Sequence, residues 1–271
     1  MKDAQRYSET QDFWKKREPN LHSMLLNRCE LHDPDKEEVL QLLPCFKGKS
    51  VLDFAAGIGR FTKEFAKKAH HVTAVDFAPQ MLQKNRTDNI EFTNIDYICS
   101  DAMDLSFPSP QFDLIFMSWL MIYLTDAEIS TLSERMVRWL KPGGHLFFRE
   151  SCAPTSRRAA HKNYYAHYRS MIAYNRLFDP HLTLLAQGNI QVFEFADANP
   201  FMCFWLYRNN LKNREFDKEA AQIFASGASS HCKGQGTSED QKFAAKLTQS
   251  KTDSSGCFGI YTVRLSGEQG M

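Results

Sequence analysis

Three aspartates each follow a run of apolar residues that predicts a β-strand. Asp53 lies within SVLDFAAGIGRFT, where a short apolar strand continues through the small residues 55–59 into a helix, and Asp76 ends VTAVD. Asp101 follows IDYICS. Because an open α/β sheet binds ligands at the carboxyl ends of its strands, we expect these carboxylates to share one site. Carboxylates accept hydrogen bonds from hydroxyl and amino groups and attract positive charge, which suits a cationic or hydroxyl-rich ligand.

The glycines of the first turn distinguish two nucleotide-like ligands. A dinucleotide site has the pattern GxGxxG and an acid roughly 20 residues further on. Here Gly57 and Gly59 lack the third glycine, and the bulky Phe61 and Thr62 would crowd a pyrophosphate. The pattern acid-x-G-x-G-x-G fits DFAAGIG better, with Ala55 in place of the first glycine. A carboxylate inside this turn would repel a pyrophosphate and attract a sulfonium, so the sequence predicts S-adenosylmethionine rather than NAD as the cofactor.

Each acid has an expected role toward that cofactor. Asp53 attracts the sulfonium, and Asp76 accepts hydrogen bonds from both ribose hydroxyls. Asp101, flanked by Ala102 and Met103, accepts one from the adenine amino group. The alternative for each acid is a helix cap or a solvated loop residue.

Alternating strand and helix patterns predict the elements that hold these residues. Strands are expected at 50–54, 72–75, 95–103, 112–124 and 145–151. Helices are expected at 60–69, from 79 onward and from 126 to 140. Thr125 and Glu128 have the spacing of a capping box at the start of the last of these. Repeated β–α alternation predicts a parallel sheet covered by helices on both faces.

The flanking segments carry other patterns. Residues 1–43 predict helices that precede the sheet, with Asp35 as the N-cap of one of them. Residues 153–181 are rich in Arg, His and Tyr and predict a helical insertion above the sheet, and residues 189–209 predict a closing antiparallel hairpin. From residue 212 the chain is polar, and we expect helical fragments and poor order there, apart from a short strand at FGIYTV.

Composition limits the class of protein and partner. The chain has 271 residues, a formal net charge of +1 and 21 Phe, which is enough for one full domain with a tail and a well-filled core. The balanced charge gives no reason to expect nucleic acid as a partner. We expect neither a secretory signal nor membrane insertion, because the apolar runs are too short. Seven scattered cysteines without a CxxC pair predict reduced thiols in the cytoplasm and no metal site.

Several motifs resemble those of one enzyme class. VLDFAAGIGRFT, VDF, SDAMDL, FDLIF and LKPGG are similar to the motifs of class I S-adenosylmethionine-dependent methyltransferases. The longer blocks EVLQLLPCFKGKSVLDFAAGIGRFTKEFAKKA, SWLMIYLTDAE, LSERMVRWLKPGGHLFFRESC and HYR resemble the first catalytic domain of phosphoethanolamine N-methyltransferases, and the resemblance covers about residues 10–210. The chain departs from the family at Ala55 and in its tail, and we expect no second methyltransferase domain among its 271 residues.

The resemblance implies a fold and a division of the chain. The expected fold is the Rossmann-like class I methyltransferase α/β fold, with a mostly parallel seven-stranded sheet and helices on both faces. The methyltransferase domain is expected over 1–211, with a helical lid over 1–45 and a substrate-binding insertion over about 153–185. Residues 212–271 are expected to form a divergent, partly disordered tail. Besides the residues of the first turn and the acids, the implied cofactor contacts are Arg60, Phe77, Met81, Ser118 and Trp119, with Met24 as a further candidate.

The resemblance also implies how a substrate amine is held. Tyr123 stands where some family members have a catalytic histidine, and its hydroxyl could hydrogen-bond the amine or relay its proton. Trp119 or Trp14 could hold a cationic amine against a ring face. Phe13 and Trp14 resemble the lid segment of the family. The alternative for Tyr123 and for the lid aromatics is ordinary core packing.

The phosphate end of the substrate needs fixed donors. His167, Tyr168, Arg169 and Arg176 match the family's phosphate-binding block, in which Arg offers a planar fork to phosphate oxygens and Tyr adds a neutral donor. A solvated basic helix is the alternative for this segment.

The resemblance therefore predicts a cytoplasmic enzyme that acts on a small phosphobase. We expect it to methylate the amine of phosphoethanolamine to N-methylphosphoethanolamine, a step toward phosphocholine. One alternative is a catalytically weak S-adenosylmethionine-binding partner of another methyltransferase, and a second is a methyltransferase for a different small amine. The sequence leaves open whether later methylations occur and whether the chain dimerises.

Overall fold

The computed structural model describes residues 2–25, 28–108, 110–152, 166–178, 182–196 and 201–210, with only the backbone for residues 2–8. Its centre is one sheet of seven strands. In chain order these are β1 Ser50–Phe54, β2 His71–Asp76, β3 Ile95–Cys99, β4 Phe112–Ser118, β5 Leu140–Ser151, β6 Leu182–Asn189 and β7 Met202–Asn209. The order across the sheet is β3-β2-β1-β4-β5-β7-β6. The first five strands are parallel, and β7 runs antiparallel to both β5 and β6.

Eight helices accompany the sheet in the described part of the chain. They are α1 Lys2–Lys15, α2 Leu21–Met24, α3 His32–Leu42, α4 Thr62–Ala66, α5 Pro79–Asp88, α6 Asp126–Trp139, α7 Met171–Leu177 and α8 Gln191–Phe195. Short 3-10 turns span Cys29–Leu31 and Met121–Tyr123. The second of these turns follows β4 directly and carries Tyr123 to the carboxyl edge of the sheet.

A hydrophobic core fills each face of the sheet. On one face the apolar side of α6, including Ile129, Leu132 and Met136, packs against the strands together with Tyr174 of α7. On the other face α3, α4 and α8 contribute a second core that includes Phe65 and Phe193, among other apolar side chains. Two buried faces explain why the central strands are almost continuously apolar. The predicted Rossmann-like α/β architecture, a mostly parallel seven-stranded sheet with helices on both faces, is confirmed.

Several predicted elements are confirmed at their expected positions. β1 covers 50–54 as predicted. The Thr125 hydroxyl accepts from the Glu128 backbone N–H, while the Glu128 carboxylate accepts from the Thr125 N–H, so the capping box is formed. The predicted closing antiparallel pair is present, but it is made by β6 and β7.

Other boundaries differ from the prediction. The fourth strand ends at Ser118 instead of continuing to 124, because Trp119 adopts a left-handed backbone with φ of 58°. The third strand ends at Cys99, and the helix expected at 60–69 covers only Thr62–Ala66. Residues 191–195, expected in a strand, form helix α8, because the Glu38 carboxylate of α3 accepts hydrogen bonds from the Gln191 and Val192 N–H groups at its start.

Asp35 is not a helix N-cap. Helix α3 begins three residues earlier, at His32, and Asp35 is buried within it. Its carboxylate accepts from both Nη atoms of Arg149 on β5 and from Nη2 of Arg60, at 2.5 Å for the latter. A partner more than a hundred residues away thus determines the position of this side chain.

Some predictions concern segments outside the described residues. These are most of the helical insertion, at 153–165, and the tail at 212–271 with FGIYTV. The proposed limits of the methyltransferase domain, the lid and the insertion stay predictions. Among the described residues, no helix is long and apolar enough to cross a bilayer.

Candidate active site

One cavity opens at the carboxyl edge of β1, β2, β3 and β4. Helix α1 covers it, since Thr10, Gln11 and Trp14 form part of its wall, and it encloses about 840 Å³ of space including its mouth. Its other lining residues are Met24, Phe54, Ala55, Gly57, Val75, Asp76, Phe77, Ala78, Met81, Ser100, Asp101, Ala102, Ser118, Trp119, Leu120, Tyr123 and Leu124. The only carboxylic acids among these described residues are Asp76 and Asp101. The site therefore suits a ligand that is cationic or rich in donors.

Asp76 connects the end of β2 to the small-residue turn. One carboxylate oxygen accepts from the Gly57 N–H at 2.8 Å and the other from the Ala78 N–H at 2.9 Å. Burial raises the pKa of Asp76 to about 6, although its backbone hydrogen bonds favour the ionised form. The remaining lone pairs of this carboxylate are the acceptors that the cavity offers to hydroxyl groups.

The turn itself needs residues without bulky side chains. Gly57 has a φ of 54°, and a Cβ there would lie 2.8 Å from Cε of Met24, which also lines the cavity. Ala55 also has a positive φ, of 61°, a conformation in which glycine is less strained. The departure from the acid-x-G-x-G-x-G pattern thus falls at a position whose backbone favours glycine. A Cβ at Gly59 would instead meet Oδ1 of Asn85 at 2.3 Å, so Gly59 allows α5 to pack behind the turn.

Asp101 lies beneath helix α1. Its Oδ1 accepts from the Met103 N–H at 2.8 Å, and its Oδ2 accepts from Nε2 of Gln11 at 2.6 Å. Gln80 of α5 donates to the Trp14 carbonyl of α1 at 2.8 Å. These contacts hold α1 over the cavity.

Tyr123 faces the same cavity from the 3-10 turn after β4. The N–H groups of Leu120 and Met121 both donate to Oε1 of Glu150, at 2.8 and 2.7 Å, which fixes the start of that turn. Trp14 packs edge-on against the Tyr123 ring at 5.8 Å. Burial, and then the nearby Glu150, raise the pKa of Tyr123, so its hydroxyl stays protonated at neutral pH. Burial also raises the pKa of Glu150, to about 8.

Arg149 holds the neighbouring wall of the cavity. Its Nε donates to the Ser118 hydroxyl at 2.9 Å, and its guanidinium lies 4.6 Å from the centroid of the Trp119 ring. The same guanidinium pairs with the buried Asp35. The strained Trp119 backbone and the Ser118 side chain are therefore supported from behind by an ion pair.

Comparison with known families agrees with this geometry. Residues 51–144 match the profile of a family described as a methyltransferase domain. The chain contains a methyltransferase domain with the Rossmann-like class I fold. The matched range runs from the start of β1 into β5 and includes each strand end that lines the cavity.

Relatives of this methyltransferase domain include two plant enzymes. The chain is 39% identical over 208 residues to phosphoethanolamine N-methyltransferase of Triticum aestivum, covering 74% of this chain and 41% of that protein. It is 41% identical over 218 residues to phosphoethanolamine N-methyltransferase 1 of Zea mays, covering 78% and 43%. The chain thus spans less than half the length of these relatives.

A solved structure is also similar. It is phosphoethanolamine N-methyltransferase 1 of Haemonchus contortus in complex with phosphoethanolamine and S-adenosylhomocysteine. The TM-score is 0.72 at 28% identity, over 83% of this chain and 55% of that one. The similarity extends the fold assignment beyond the 51–144 range of the family match.

Asp53 does not reach the cavity of the methyltransferase domain, which corrects its expected contact with a sulfonium. Phe54 lines the cavity, and successive side chains of a strand point to opposite faces, so the Asp53 side chain is directed away from it. Its Oδ2 accepts from the Thr62 hydroxyl at 2.5 Å, and Asn85 donates to the same hydroxyl at 2.9 Å. Asp53 therefore stabilises the turn from the side opposite the cavity, through the Thr62 hydroxyl at the start of α4.

Replacing Asp53 by asparagine is expected to stabilise the protein at high pH. Burial raises the pKa of Asp53 to about 7 from 3.8, so the stability that the protonated carboxyl contributes at low pH is lost as the pH rises through 7. Asparagine keeps an acceptor for Thr62 and does not ionise. In urea unfolding at pH 8, the free energy of unfolding of Asp53→Asn should exceed that of wild type by at least about 1 kcal/mol. This difference should become smaller toward pH 5. Titration with S-adenosylmethionine should give a Kd within about threefold of wild type. A loss of affinity of tenfold or more would mean that Asp53 contacts the cofactor.

Four other predicted contacts lie beside the cavity rather than in its wall. Gly59 is one of them, because it packs against Asn85 of α5. Arg60 faces the opposite side of the turn, where its Nε donates to Nδ1 of His32 at 3.1 Å and its Nη2 to Asp35. Phe13 packs edge-on against Trp14 at 5.5 Å, outside the cavity wall. Met103 contributes its backbone N–H to Asp101, and its side chain is not part of the wall.

The predicted phosphate block also lies outside the cavity wall. Arg169 is buried and its donors are used: Nη2 donates to the Leu124 carbonyl at 2.6 Å, Nη1 to the Met121 carbonyl at 3.0 Å and Nε to Asp126 at 2.7 Å. His167 donates its N–H to the Ile122 carbonyl at 2.5 Å, and Tyr168 is half-buried. Arg176 is exposed on α7. The side chain of Arg169 thus braces the loop around Tyr123 and is not free to bind phosphate.

Replacing Arg169 by alanine should lower the free energy of unfolding by about 2–3 kcal/mol, because buried carbonyls lose a charged donor. Chemical denaturation of this variant and of Arg176→Ala, which removes an exposed arginine, is the measurement. Arg176→Ala should unfold like wild type. If Arg169→Ala were as stable as wild type and only its substrate KM rose, Arg169 would bind the phosphate as the sequence predicted.

The remaining predicted residues meet in one place. Trp14, Ala55, Gly57, Asp76, Phe77, Met81, Asp101, Ala102, Ser118, Trp119 and Tyr123 all line the cavity, as does Met24. Sequence reasoning missed Gln11 and Thr10, for which no motif gives a signal. It also missed Arg149 and Glu150, although two charges within the apolar run LFFRES of a buried strand are such a signal.

Proposed function

We propose that this domain transfers a methyl group from S-adenosylmethionine to the amine of phosphoethanolamine, giving N-methylphosphoethanolamine. The observation that carries the proposal is one cavity that combines two carboxylates with two tryptophans and a tyrosine hydroxyl. The plant relatives and the Haemonchus contortus enzyme, which is named as a complex with this phosphobase, support the choice of substrate.

The residues present fit the cofactor. Asp76 offers acceptors for ribose hydroxyls, and Asp101 offers acceptors for the adenine amino group once Gln11 yields its place. Gly57 leaves room at the turn that a side chain would fill. When bound, S-adenosylmethionine supplies an electrophilic methyl group on a sulfonium.

The amine must lose a proton before it can attack. A free alkylamine has a pKa of about 10, so most of the substrate is protonated at neutral pH. Trp14 and Trp119 can hold the ammonium by their ring faces, and the neutral Tyr123 hydroxyl can accept a hydrogen bond from it or donate one to the free amine. Alignment of the amine nitrogen with the methyl group of the cofactor raises the rate by several orders of magnitude. Helix α1, which covers the cavity, helps to hold the two reactants in this alignment.

Incubation of the purified protein with isotopically labelled S-adenosylmethionine and phosphoethanolamine tests the proposal. Mass analysis should find the monomethyl product, and it also distinguishes di- and trimethyl products. Cofactor binding without turnover of any amine would overturn the enzyme assignment in favour of a regulatory partner. Turnover of other small amines but not of phosphoethanolamine would overturn the assignment of phosphoethanolamine as the substrate.

We further propose that the enzyme acts in the cytoplasm on this small phosphobase, without nucleic acid as a partner. Cys29, Cys45, Cys99, Cys152 and Cys203 are free thiols, which suits a reducing compartment. Fractionation of cells that express the full chain would test the location.

A further inference from the structure

Glu150 is a fully buried carboxyl group on β5, and one of its two oxygens is not needed to hold the structure. Oε1 alone accepts the hydrogen bonds from the Leu120 and Met121 N–H groups, at 2.8 and 2.7 Å. Oε2 is buried and has no hydrogen-bond partner among the described residues. A buried carboxylate oxygen without a donor is costly, so its presence needs an explanation.

Glu150 lies behind the 3-10 turn that carries Tyr123. It is absent from the described wall of the cavity, whereas Tyr123 is part of that wall. Burial raises the pKa of Tyr123, and the next largest cause of this rise is the charge of Glu150, so the carboxylate and the hydroxyl interact electrostatically. Glu150 is thus shielded from a ligand in the cavity and can act on it through Tyr123.

The surroundings of Glu150 allow it to exchange a proton near neutral pH. The titratable and charged side chains that interact with it, or lie opposite it in the sheet, are Tyr123, Arg149, Cys152, Arg169, Tyr174 and Cys203. Burial raises the pKa of Glu150 to about 8, against the opposing effect of its two backbone hydrogen bonds and of the two arginines. A base is most efficient when its pKa is close to the operating pH.

We propose that Glu150 accepts, through the hydroxyl of Tyr123, the proton that the substrate amine must lose. This rests on the proposed function. An N–H bond of the ammonium breaks and its proton passes to the Tyr123 oxygen, while the hydroxyl proton of Tyr123 passes to Oε2 of Glu150. The nitrogen keeps the electron pair of the broken bond and becomes nucleophilic, and Tyr123 stays neutral. Glu150 ends protonated and releases this proton to solvent before the next turnover.

The pH dependence of kcat with phosphoethanolamine tests this assignment. Glu150→Gln keeps an oxygen for the N–H groups of the 3-10 turn but cannot accept a proton. Glu38→Gln is the matched control, because burial also raises the pKa of Glu38 and its carboxylate also accepts from two backbone N–H groups, at the start of α8. Glu38 lies outside the described cavity wall.

We expect wild-type kcat to rise with pH and to level off just above pH 8, as Glu150 becomes ionised. In Glu150→Gln the bound amine loses its proton only near its own pKa, which is about 10 in solution. Its kcat should therefore be about 100-fold below wild type at pH 8 and should approach the wild-type value toward pH 10. Adding Glu150→Gln to Tyr123→Phe should lower kcat no further, because the two groups act in series. Glu38→Gln should match wild type at every pH.

Titration with S-adenosylhomocysteine should give the same Kd for every variant, which shows that the variants are folded. A pH profile of Glu150→Gln that runs parallel to that of wild type would mean that Glu150 only fixes the turn. A wild-type kcat that is constant from about pH 6 to 10 would contradict the role of Glu150 without any variant. Absence of methylated phosphoethanolamine from wild-type reactions at every pH would overturn the proposed function, and this inference with it.

Discussion

Replacing Asp35 by alanine is expected to lower the free energy of unfolding by about 3–5 kcal/mol. Its carboxylate is fully buried and is shared by the guanidinium groups of Arg149, also fully buried, and Arg60. Burial alone would raise the pKa of Asp35, but the two arginines outweigh it and the pKa is lowered. Removing the carboxylate leaves two positive charges together inside the protein without a counter-charge, and that is more costly than the loss of the attraction itself.

The same lowered pKa predicts a pH dependence. A carboxyl group whose pKa falls on folding contributes stability above its unfolded value of 3.8, and this contribution is lost as the pH falls through the folded pKa. The Asp35→Ala penalty should therefore be constant near neutral pH and decrease only in strong acid.

Asp33→Ala is the matched control for this prediction. Asp33 lies two residues earlier on the same helix, is 82% exposed and pairs with Lys36 at 3.1 Å. Exposed ion pairs are screened by solvent and contribute little to stability, so this variant should unfold close to wild type. Equal unfolding midpoints for the two variants in urea would contradict the role of Asp35.

The ion pair also links stability to the active site. Arg149 donates to Ser118 and supports the Trp119 ring, and both residues line the cavity. At a temperature where Asp35→Ala is still folded, the substrate KM should therefore rise although Asp35 itself is outside the cavity wall.

Local patterns were sufficient to predict the sheet and its alternation with helices. The Thr125–Glu128 box and strand 50–54 depend on neighbouring residues, and both form as predicted. Helix α8 and the buried position of Asp35 depend on partners far along the chain, namely Glu38 and Arg149. No local pattern contains these partners, so the sequence predicted a strand and an N-cap instead.

The residues of the candidate site also divide into those that local patterns predict and those whose positions depend on other contacts. Asp76 and Asp101 were predictable because strand ends at one sheet edge must be neighbours. Asp53 was misplaced because the alternation of side chains along β1 turns its carboxylate toward Thr62. Arg169 was misplaced because its residue type suggests phosphate, whereas the carbonyls of Met121 in the 3-10 turn and of Leu124 after it take its donors.

Replacing Tyr123 by phenylalanine should lower kcat by about 10²-fold, which is typical for loss of a group that assists proton transfer. The substitution removes only the hydroxyl, and the ring contact with Trp14 is kept. Cofactor affinity should stay within about threefold of wild type, because Asp76 and Asp101 are unchanged. Since burial raises the pKa of Tyr123, it does not ionise between pH 6 and 9, so kcat/KM of the wild type should rise across this range as the substrate amine loses its proton.

Tyr97→Phe provides the comparison, because Tyr97 lies on β3 outside the cavity wall and the same hydroxyl is removed. In steady-state assays with phosphoethanolamine, kcat should fall for Tyr123→Phe and not for Tyr97→Phe. In titrations with S-adenosylhomocysteine, the two variants should have the same Kd. A Tyr123→Phe enzyme with wild-type kcat would mean that Tyr123 only packs against the lid. The amine would then transfer its proton to solvent or to another group, and the carboxylates and tryptophans of the cavity would act by positioning alone.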